Sequence, residues 1–306
     1  MIHKNKILVV GGTGFIGYHL CKEALKKNWA VTSISKNKPK KIRHLFKVKY
    51  LICDISKKNQ VSKLSNNFDY VVNLGGYVDH KNKNKTYNSH YIGCKNLAEY
   101  FVGKKIKAFI QLGSSVEYGS ARSPQKETNI TNVKRLKSIY GKSKLLATNL
   151  LLNLYKKRNF PVTILRLYLA YGPYQDINRF IPIIIDGCLR DISFNSSKGT
   201  QKRDFIYISD VIDIIIKSLN SKKTNGQILN IGSGRPIKLK KIIESIKKII
   251  KKGKPIYGKI GLRKDEILNI YPSMQKVKRI LKWHPKVEFT VGLKKTIQYY
   301  EMHKIK

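Results

Sequence analysis

A chain of 306 residues, 42% of them hydrophobic, is long enough for one large domain or two fused ones. Its mean hydropathy is −0.34, and its most apolar stretch, residues 180–189, is too short to span a bilayer, which argues against a membrane protein. The N-terminus enters a strand-like run without a signal-peptide pattern, so we expect a cytoplasmic protein with no membrane partner.

The net charge of +44 at pH 7 raises the question of a nucleic-acid partner, because basic surfaces attract polyphosphates. The lysines are nevertheless spread through almost every segment, for example residues 81–85, 240–252 and 276–282. Nucleic-acid-binding proteins usually concentrate their charge on one face. We therefore expect no nucleic-acid partner, although the charge favours an anionic small-molecule substrate.

The cysteine pattern argues against a metal site and against a disulfide framework. The four cysteines lie far apart, without a CxxC motif or a nearby pair of histidines: Cys21, Cys53, Cys94 and Cys188. We expect buried free thiols and no metal ion.

Short apolar runs alternate with helical patterns through the first 167 residues. Strands are predicted at residues 6–10, 29–34, 49–53, 70–74, 108–112 and 162–167. Helices are predicted at residues 14–27, through Val61 and Leu64, and at residues 88–102 and 139–158. This alternation predicts an α/β fold built on a doubly wound parallel sheet of the Rossmann type, with helices on both faces.

The pattern loosens after Gly172-Pro173. Helices are predicted at residues 178–189, 211–219, 239–251 and 291–302, separated by turns rich in Gly, Pro, Asn and Ser. We expect a smaller C-terminal α/β lobe that binds the substrate and closes over a cleft. The predicted division gives residues 1–167 and about 203–232 to the Rossmann-type domain, and about 168–202 and 233–306 to the second lobe.

A glycine-rich loop, Gly11-Gly-Thr-Gly-Phe-Ile-Gly17, lies between the first predicted strand and the first predicted helix. The GxxGxxG spacing allows a tight turn and lets the backbone approach a pyrophosphate at the helix N-terminus. A plain strand-to-helix turn is the alternative, and the flanking elements favour the dinucleotide site. The predicted cofactor contacts from the loop and from later strand ends are Gly11, Gly14, Phe15, Ile16, Gly17, Asp54, Ile55 and Leu74.

The end of the second predicted strand bears on the choice of coenzyme. NAD-binding folds usually place an acidic residue there to hold the ribose 2′-hydroxyl, but this chain has Ser35 and Lys36, followed by Lys38. A 2′-phosphate would be accepted at such a position. We expect NADP(H) to be favoured, with NAD(H) still possible.

Tyr140 and Lys144 lie four residues apart on one predicted helix and so share a face. A nearby ammonium favours the ionised form of a phenol, which suits the tyrosine to proton transfer while a nicotinamide transfers hydride. Lys144 can also hold the nicotinamide ribose. Ser114, at the end of the fifth predicted strand, can hydrogen-bond the reacting oxygen, its alternative role being that of a turn serine.

These residues, in this order, resemble the extended short-chain dehydrogenase/reductase superfamily, in its NAD-dependent epimerase/dehydratase branch that acts on nucleotide sugars. The resemblance extends through Arg166-Leu-Tyr-Leu-Ala-Tyr-Gly-Pro173, Arg203-Asp-Phe-Ile-Tyr-Ile-Ser-Asp210, Leu229-Asn-Ile-Gly-Ser-Gly-Arg-Pro236 and Leu281-Lys-Trp-His-Pro285. It implies a nucleotide-sugar substrate and a homodimer formed through two helices. It also implies that Arg203 and Arg263 contact the substrate diphosphate, and that Asp79 and Ser115 border the sugar together with Ser114 and Tyr140.

Two departures from the family bear on the reaction. Sugar 4,6-dehydratases carry an adjacent Asp and Glu directly after the catalytic Ser or Thr, whereas this chain has Ser115 and Val116 there, with Glu117 one residue out of register. The Asn of the Arg-Tyr-Phe-Asn motif of many epimerases is replaced by Leu169. We therefore expect a reductase of a 4-keto-6-deoxy nucleotide sugar. The alternatives are an NAD-dependent 4-epimerase and, more remotely, a non-catalytic dinucleotide-binding or nucleic-acid-binding protein.

Overall fold

The computed structural model describes residues 4–77, 79, 81–262 and 266–303. The strands in these ranges are β1 (Lys6–Val10), β2 (Ala30–Ser35), β3 (Lys49–Ile52), β4 (Tyr70–Asn73), β5 (Ala108–Ser114), β6 (Val162–Leu167), β7 (Leu169–Tyr171), β8 (Ser193–Ser196), β9 (Lys202–Arg203), β10 (Phe205–Tyr207), β11 (Gln227–Ile231), β12 (Ile237–Lys238), β13 (Lys254–Tyr257) and β14 (Asn269–Ile270). The helices are α1 (Phe15–Lys26), α2 (Lys58–Val61), α3 (Lys83–Tyr87), α4 (Gly93–Phe101), α5 (Ile139–Arg158), α6 (Phe180–Leu189), α7 (Ile208–Leu219), α8 (Leu239–Ile250), α9 (Gln275–Leu281) and α10 (Phe289–Met302).

The centre of the molecule is a seven-stranded sheet in the order β11-β6-β5-β4-β1-β2-β3, and all its neighbouring strands are parallel. The chain winds outward in both directions from β1 and β4, so the topological switch point lies between these two strands. Ligands of open α/β sheets bind at the carboxyl ends of the strands at such a point. The predicted Rossmann-type α/β fold is confirmed, and β11 adds a strand that the periodicity did not reveal.

Both faces of this sheet are covered, which explains the uninterrupted apolar character of its strands. In β1, Ile7 and Val9 belong to one core cluster and Leu8 and Val10 to a second. The first cluster includes side chains of α1 and α7, and the second includes side chains of α4 and α5. The helices on each face thereby hold the loops at the carboxyl ends of the strands in fixed positions.

The helix that carries the predicted acid–base pair has clear signals at both ends. The Oγ of Ser138 accepts a hydrogen bond from the backbone N–H of Gly141, 3.0 Å away, which caps the first turn of α5. At the other end Asn159 adopts a left-handed conformation with φ of 51°, which ends the helix. The bounds of α5 agree with the predicted helix at residues 139–158.

The helix predicted at residues 88–102 begins earlier than the sequence indicated. Lys83–Tyr87 form α3, and a π-helical turn, Asn88–Ile92, joins it to α4. The side chain of Asn82 accepts a hydrogen bond from the N–H of Lys85 and starts the helix. The segment Lys-Asn-Lys-Thr-Tyr has no apolar periodicity, which is why the pattern did not predict it.

The C-terminal part of the chain contributes small sheets and helices beside the main sheet. β9 pairs with β12 and β14, and β8 pairs with β13. These strands have two to four residues, too few for an alternating pattern to be read from the sequence. The division of the chain into two domains stays a prediction.

All four cysteines are buried and free, as the sequence suggested. Within the described ranges, no three His, Cys, Asp or Glu side chains are grouped so that they could hold a metal ion. None of the helices in these ranges is long and apolar enough to cross a membrane.

The imidazole of His19 connects α1 to the loop after β7, with its Nε2 2.9 Å from the carbonyl oxygen of Pro173. Burial lowers the pKa of His19 from 6.5 to about 4; the Pro173 carbonyl opposes this shift, while Lys22 and Arg43 add to it. The folded protein therefore favours the neutral ring. The contribution of His19 to stability is fully present above its unfolded pKa and declines as the pH falls toward its folded pKa.

We expect the free energy of unfolding to fall by on the order of 3 kcal/mol between about pH 7 and pH 4 on account of His19. A His19→Gln variant should lose less stability over this range, because glutamine does not titrate. Urea unfolding at several pH values measures the difference, with His284→Gln as the exposed control. Identical acid sensitivity of the wild type and His19→Gln would contradict the expectation.

Candidate active site

A cleft of about 680 Å³ lies at the switch point of the sheet, between the glycine-rich loop, the ends of β2 to β4, and residues 167–170 and 175–179. Nine of the predicted cofactor contacts line it: Gly11, Gly14, Phe15, Ile16, Gly17, Ser35, Lys36, Ile55 and Leu74. Asp54 is not among the lining residues, although its neighbours Cys53 and Ile55 are, and neither are Tyr140 and Lys144, which were also predicted to contact the cofactor. Most of the predicted cofactor contacts therefore share one cleft, and the dinucleotide site itself stays a prediction.

The glycines of the loop are needed for different structural reasons. Gly11 has a φ of +80°, which favours glycine. A Cβ on Gly17 would lie 2.2 Å from the carbonyl oxygen of Gly11, so only glycine lets α1 pack this closely on the loop. Gly14 caps α1 without a side-chain hydrogen bond, and a Cβ there would meet only the Gly11 oxygen, at 3.3 Å. The N–H groups of the first turn are thus available to an anion.

The residues that bear on coenzyme choice form two contacts at the end of β2. Thr13 donates a hydrogen bond from its Oγ1 to the Oγ of Ser35, 3.0 Å away. The Nζ of Lys36 lies 2.9 Å from a carboxylate oxygen of Asp54. Burial raises the pKa of Asp54, but hydrogen bonds from Ser56 and Lys36 outweigh it and the pKa lies below its usual value. The Lys36 ammonium therefore already has a carboxylate partner.

A Ser35→Asp variant should shift the coenzyme preference toward NAD by about tenfold, because a carboxylate accepts from a ribose 2′-hydroxyl and repels a 2′-phosphate. The ratio of the NADPH and NADH dissociation constants measures this change. Ser62→Asp adds the same charge at an exposed position and serves as the control. An unchanged ratio in Ser35→Asp would remove Ser35 from the coenzyme site.

The predicted catalytic residues lie at the carboxyl end of β5 and on α5. Ser114 is the last residue of β5, and Ser115–Tyr118 form a 3₁₀ turn that follows it. The start of α5 packs on this turn, since a Cβ on Gly141 would lie 3.2 Å from the carbonyl oxygen of Val116. This packing brings the helix turn that carries Tyr140 against the segment that begins with Ser114.

Lys144 is buried and oriented by the strand. It is 5% exposed, and its Nζ donates a hydrogen bond to the carbonyl oxygen of Leu112 over 2.6 Å. The same ammonium lies 5.9 Å from the centroid of the Tyr140 ring. The phenol and the buried ammonium thus lie next to each other on α5, which is the arrangement that the Tyr–Lys spacing predicted.

The carboxylate of Glu117 does not face the cleft. It is fully buried and accepts hydrogen bonds from the Ser114 N–H (2.8 Å), the Thr148 hydroxyl (2.8 Å) and the Arg166 Nε (2.9 Å). Arg166 is also buried and stacks on the Tyr118 ring, 4.4 Å from its centroid. Glu117 therefore holds the catalytic segment together and is not placed to remove a proton from a substrate.

The predicted substrate contacts do not lie in one place, and two of them bond other parts of the protein. Arg203 forms an ion pair with Glu266 and donates to the carbonyl oxygens of Lys202 and Leu268, at 2.9 and 3.2 Å. Burial lowers the pKa of Arg203, against the opposing effect of Glu266. Asp79 is exposed, and its carboxylate accepts from the N–H of Lys81 at 3.4 Å.

Arg263 lies outside the described residues. Ser115 is half-buried at the start of the 3₁₀ turn, next to Ser114. Arg203 and Asp79 are not among the residues that line the cleft. Ser114, Ser115, Tyr140 and Lys144 do not line it either, but the structure brings these four residues together where α5 packs on the turn after β5.

Sequence reasoning missed several residues of this site. Gln175, Asp176 and Arg179, which precede α6, also line the cleft. Arg179 is half-buried and makes no ion pair with another described residue. The sequence signal for Arg179 was its position directly before an apolar helix. This signal was not distinctive, because cations are common throughout the chain.

A glycine-rich dinucleotide loop at the switch point of a parallel sheet, with a serine at the end of β5 and a tyrosine–lysine pair on the next long helix, defines an extended short-chain dehydrogenase/reductase. The chain belongs to the NAD-dependent epimerase/dehydratase family, whose model matches residues 7–232.

Several characterised proteins are similar over nearly the full chain. The UDP-N-acetyl-alpha-D-glucosaminuronate decarboxylase of Bacillus cytotoxicus is 28% identical over 321 residues, covering 97% of this chain and 98% of the relative. The CDP-abequose synthase of Salmonella muenchen is 28% identical, covering 97% and 98%. The structure of UDP-glucuronic acid 4-epimerase from Bacillus cereus, in complex with UDP-glucuronic acid and NAD, matches with a TM-score of 0.88 at 26% identity, covering 97% and 99%.

Proposed function

We propose that the protein is an NAD(P)-dependent oxidoreductase that reduces the 4-keto group of a 4-keto-6-deoxy nucleotide sugar. The observation that carries this proposal is the chemistry available beside the cleft. Ser114, Tyr140 and Lys144 provide for reduction of a carbonyl. The two positions after Ser114 lack an acid and a base for elimination, and Glu117 is held by Arg166 and Thr148.

The residues of the chain have distinct tasks in this reduction. A bound reduced nicotinamide would supply the hydride to C4 of the sugar. Tyr140 gives its phenolic proton to the carbonyl oxygen as the alkoxide forms, and Ser114 donates a hydrogen bond to that oxygen. The ammonium of Lys144 then stabilises the phenolate that remains.

The substrate proposal combines the charge of the chain with its cleft. A nucleoside diphosphate is attracted by a protein of net charge +44, and the guanidinium of Arg179 at the cleft is suited to donate hydrogen bonds to phosphate oxygens. Arg203 and Arg263 remain predicted diphosphate contacts. For Arg203 this requires exchange of its Glu266 partner for phosphate, since both anions compete for one guanidinium.

NADP(H) remains the proposed coenzyme, with NAD(H) as the alternative. The lack of an acid at Ser35 supports NADP(H), whereas the pairing of Lys36 with Asp54 reduces the positive charge available to a 2′-phosphate. The proposed assembly is a homodimer formed through the helical segments 88–102 and 139–158, as in the family that the chain resembles.

A nucleotide-sugar 4-epimerase is the second candidate, and the similarity to the NAD-bound UDP-glucuronic acid 4-epimerase favours it. An epimerase uses the same serine, tyrosine and lysine but keeps NAD bound and returns the hydride to the opposite face of the sugar. The two reactions therefore differ in the fate of the coenzyme.

The nucleotide released from purified, untreated protein distinguishes these candidates. We expect mass spectrometry of the denatured protein to find substoichiometric nucleotide, and we expect the intact protein to bind added NADPH reversibly. Stoichiometric NAD that does not exchange with added coenzyme would contradict the reductase and support the epimerase.

A further inference from the structure

The imidazole of His90 lies between the cofactor cleft and the catalytic tyrosine. His90 belongs to the π-helical turn Asn88–Ile92 and is 6% exposed. Its ring contacts the Tyr140 ring edge-to-face, with centroids 4.9 Å apart and an interplanar angle of 66°. π-Helical turns are frequent at functional sites, and this one places the His90 ring directly against Tyr140, the predicted proton donor.

The same side chain also contacts the loop after β4. The Nε2 of His90 lies 3.1 Å from the carbonyl oxygen of Tyr77, which can only accept, so the contact requires a proton on Nε2. A Cβ on Gly76 would lie 1.9 Å from the Cε1 of His90, so the ring fills the space against this loop. The Oγ of the adjacent Ser89 accepts from the Tyr77 N–H over 2.9 Å.

This loop forms part of the cleft wall, since Gly76, Tyr77 and Ser89 all line the cleft. His90 thus contacts both the wall and the Tyr140 ring, whereas the hydroxyl of Ser89 bonds the loop and has no aromatic ring. The edge-to-face contact limits the orientations that the phenol can take. Misplacement of a reacting group by about 1 Å can cost about 10²-fold in rate.

We propose that His90 is a positioning residue for Tyr140: its ring, packed against the loop of the cleft wall, sets the phenol in the orientation from which the proton is transferred. The inference rests on the proposed function in one respect, the role of Tyr140 as proton donor. It holds equally for a reductase and for an epimerase.

Two substitutions separate the ring from the hydrogen bond. His90→Phe keeps an aromatic ring without the donor, and His90→Gln keeps a donor without the ring. We expect His90→Phe to retain kcat within about threefold and His90→Gln to lower it about 30-fold, because the ring fixes the phenol. Asn88→Ala is the matched control in the same turn, because Asn88 is exposed and does not line the cleft, and we expect it to leave kcat unchanged.

A kcat loss confined to His90→Phe, equal losses in both variants, or no loss in either would overturn the proposal. Coenzyme binding, followed by fluorescence, checks that each variant is folded.

An NMR measurement tests the position of Tyr140 without any substrate. It therefore applies even if the wild type turns over no nucleotide sugar. In protein labelled with ¹³Cζ-tyrosine, the Tyr140 resonance is assigned by its loss in Tyr140→Phe.

We expect the Tyr140 resonance to shift in His90→Gln and to stay in place in Asn88→Ala. An unshifted resonance in His90→Gln would overturn the positioning role whatever the reaction is. Absence of turnover in the wild type, with the shift present, would instead count against the proposed function alone.

Discussion

A Tyr140→Phe variant is expected to lower kcat about 10³-fold, because phenylalanine keeps the ring and removes the proton that general acid catalysis transfers. Lys144 would keep its bond to the Leu112 carbonyl oxygen, since that contact does not involve the phenol. The substitution should therefore leave coenzyme affinity within about twofold, in line with loss of a group that acts in the transition state. Steady-state kinetics and coenzyme titration measure the two effects.

Tyr155→Phe is the matched control for this experiment. It removes a hydroxyl from the same helix, about four turns beyond Tyr140, without affecting the residues beside the cleft. We expect its kcat to equal that of the wild type. A Tyr140→Phe variant with near-normal turnover would contradict the mechanism, and equal losses in both variants would point to damage of the helix.

Removing the carboxylate of Glu117 is expected to cost about 3–5 kcal/mol of unfolding free energy, because it leaves the buried Arg166 guanidinium without a counter-charge. Arg166 is 1% exposed and Glu117 is fully buried, so water cannot replace the lost partner. Glu117→Leu also removes the acceptor of the Ser114 N–H and of the Thr148 hydroxyl. Denaturant unfolding measures the change, and Glu117→Gln, which keeps an acceptor, should cost less.

An exposed ion pair provides the comparison. Glu99 lies 3.8 Å from Lys95 on α4, with both side chains about two-fifths exposed, so we expect Glu99→Gln to cost less than about 0.5 kcal/mol. The activity of Glu117→Gln is equally informative. A variant that keeps full stability but loses turnover would contradict the structural role and would make Glu117 a catalytic acid or base.

The features that the sequence predicted well are local. The strands β1 to β6 are short apolar runs next to turns, and α5 has a capping serine before it and an asparagine after it. The glycine-rich loop is contained in seven residues, and its spacing follows from the close approach of Gly17 to Gly11. Such patterns are determined by neighbours in the chain and can be read without the fold.

The features that the sequence did not predict depend on residues far apart in the chain. Glu117 and Arg166 are 49 residues apart, and each has an ordinary sequence context until the fold buries them together. The contact of His90 with Tyr140 arises because a π-helical turn and α5 pack side by side. Lys36 supported NADP(H) as an unpaired cation, and only the structure shows its bond to Asp54.

The most direct test of the proposed reduction follows the hydride itself. The protein is incubated with NADPH that carries deuterium at the transferable C4 position of its nicotinamide, and with a 4-keto-6-deoxy nucleotide sugar. We expect one deuterium at C4 of the product sugar for each NADPH oxidised. A 4-keto sugar that stays unreacted would contradict the account. A parallel incubation with a 4-hydroxy nucleotide sugar that inverts at C4 without consuming added coenzyme would show an epimerase instead.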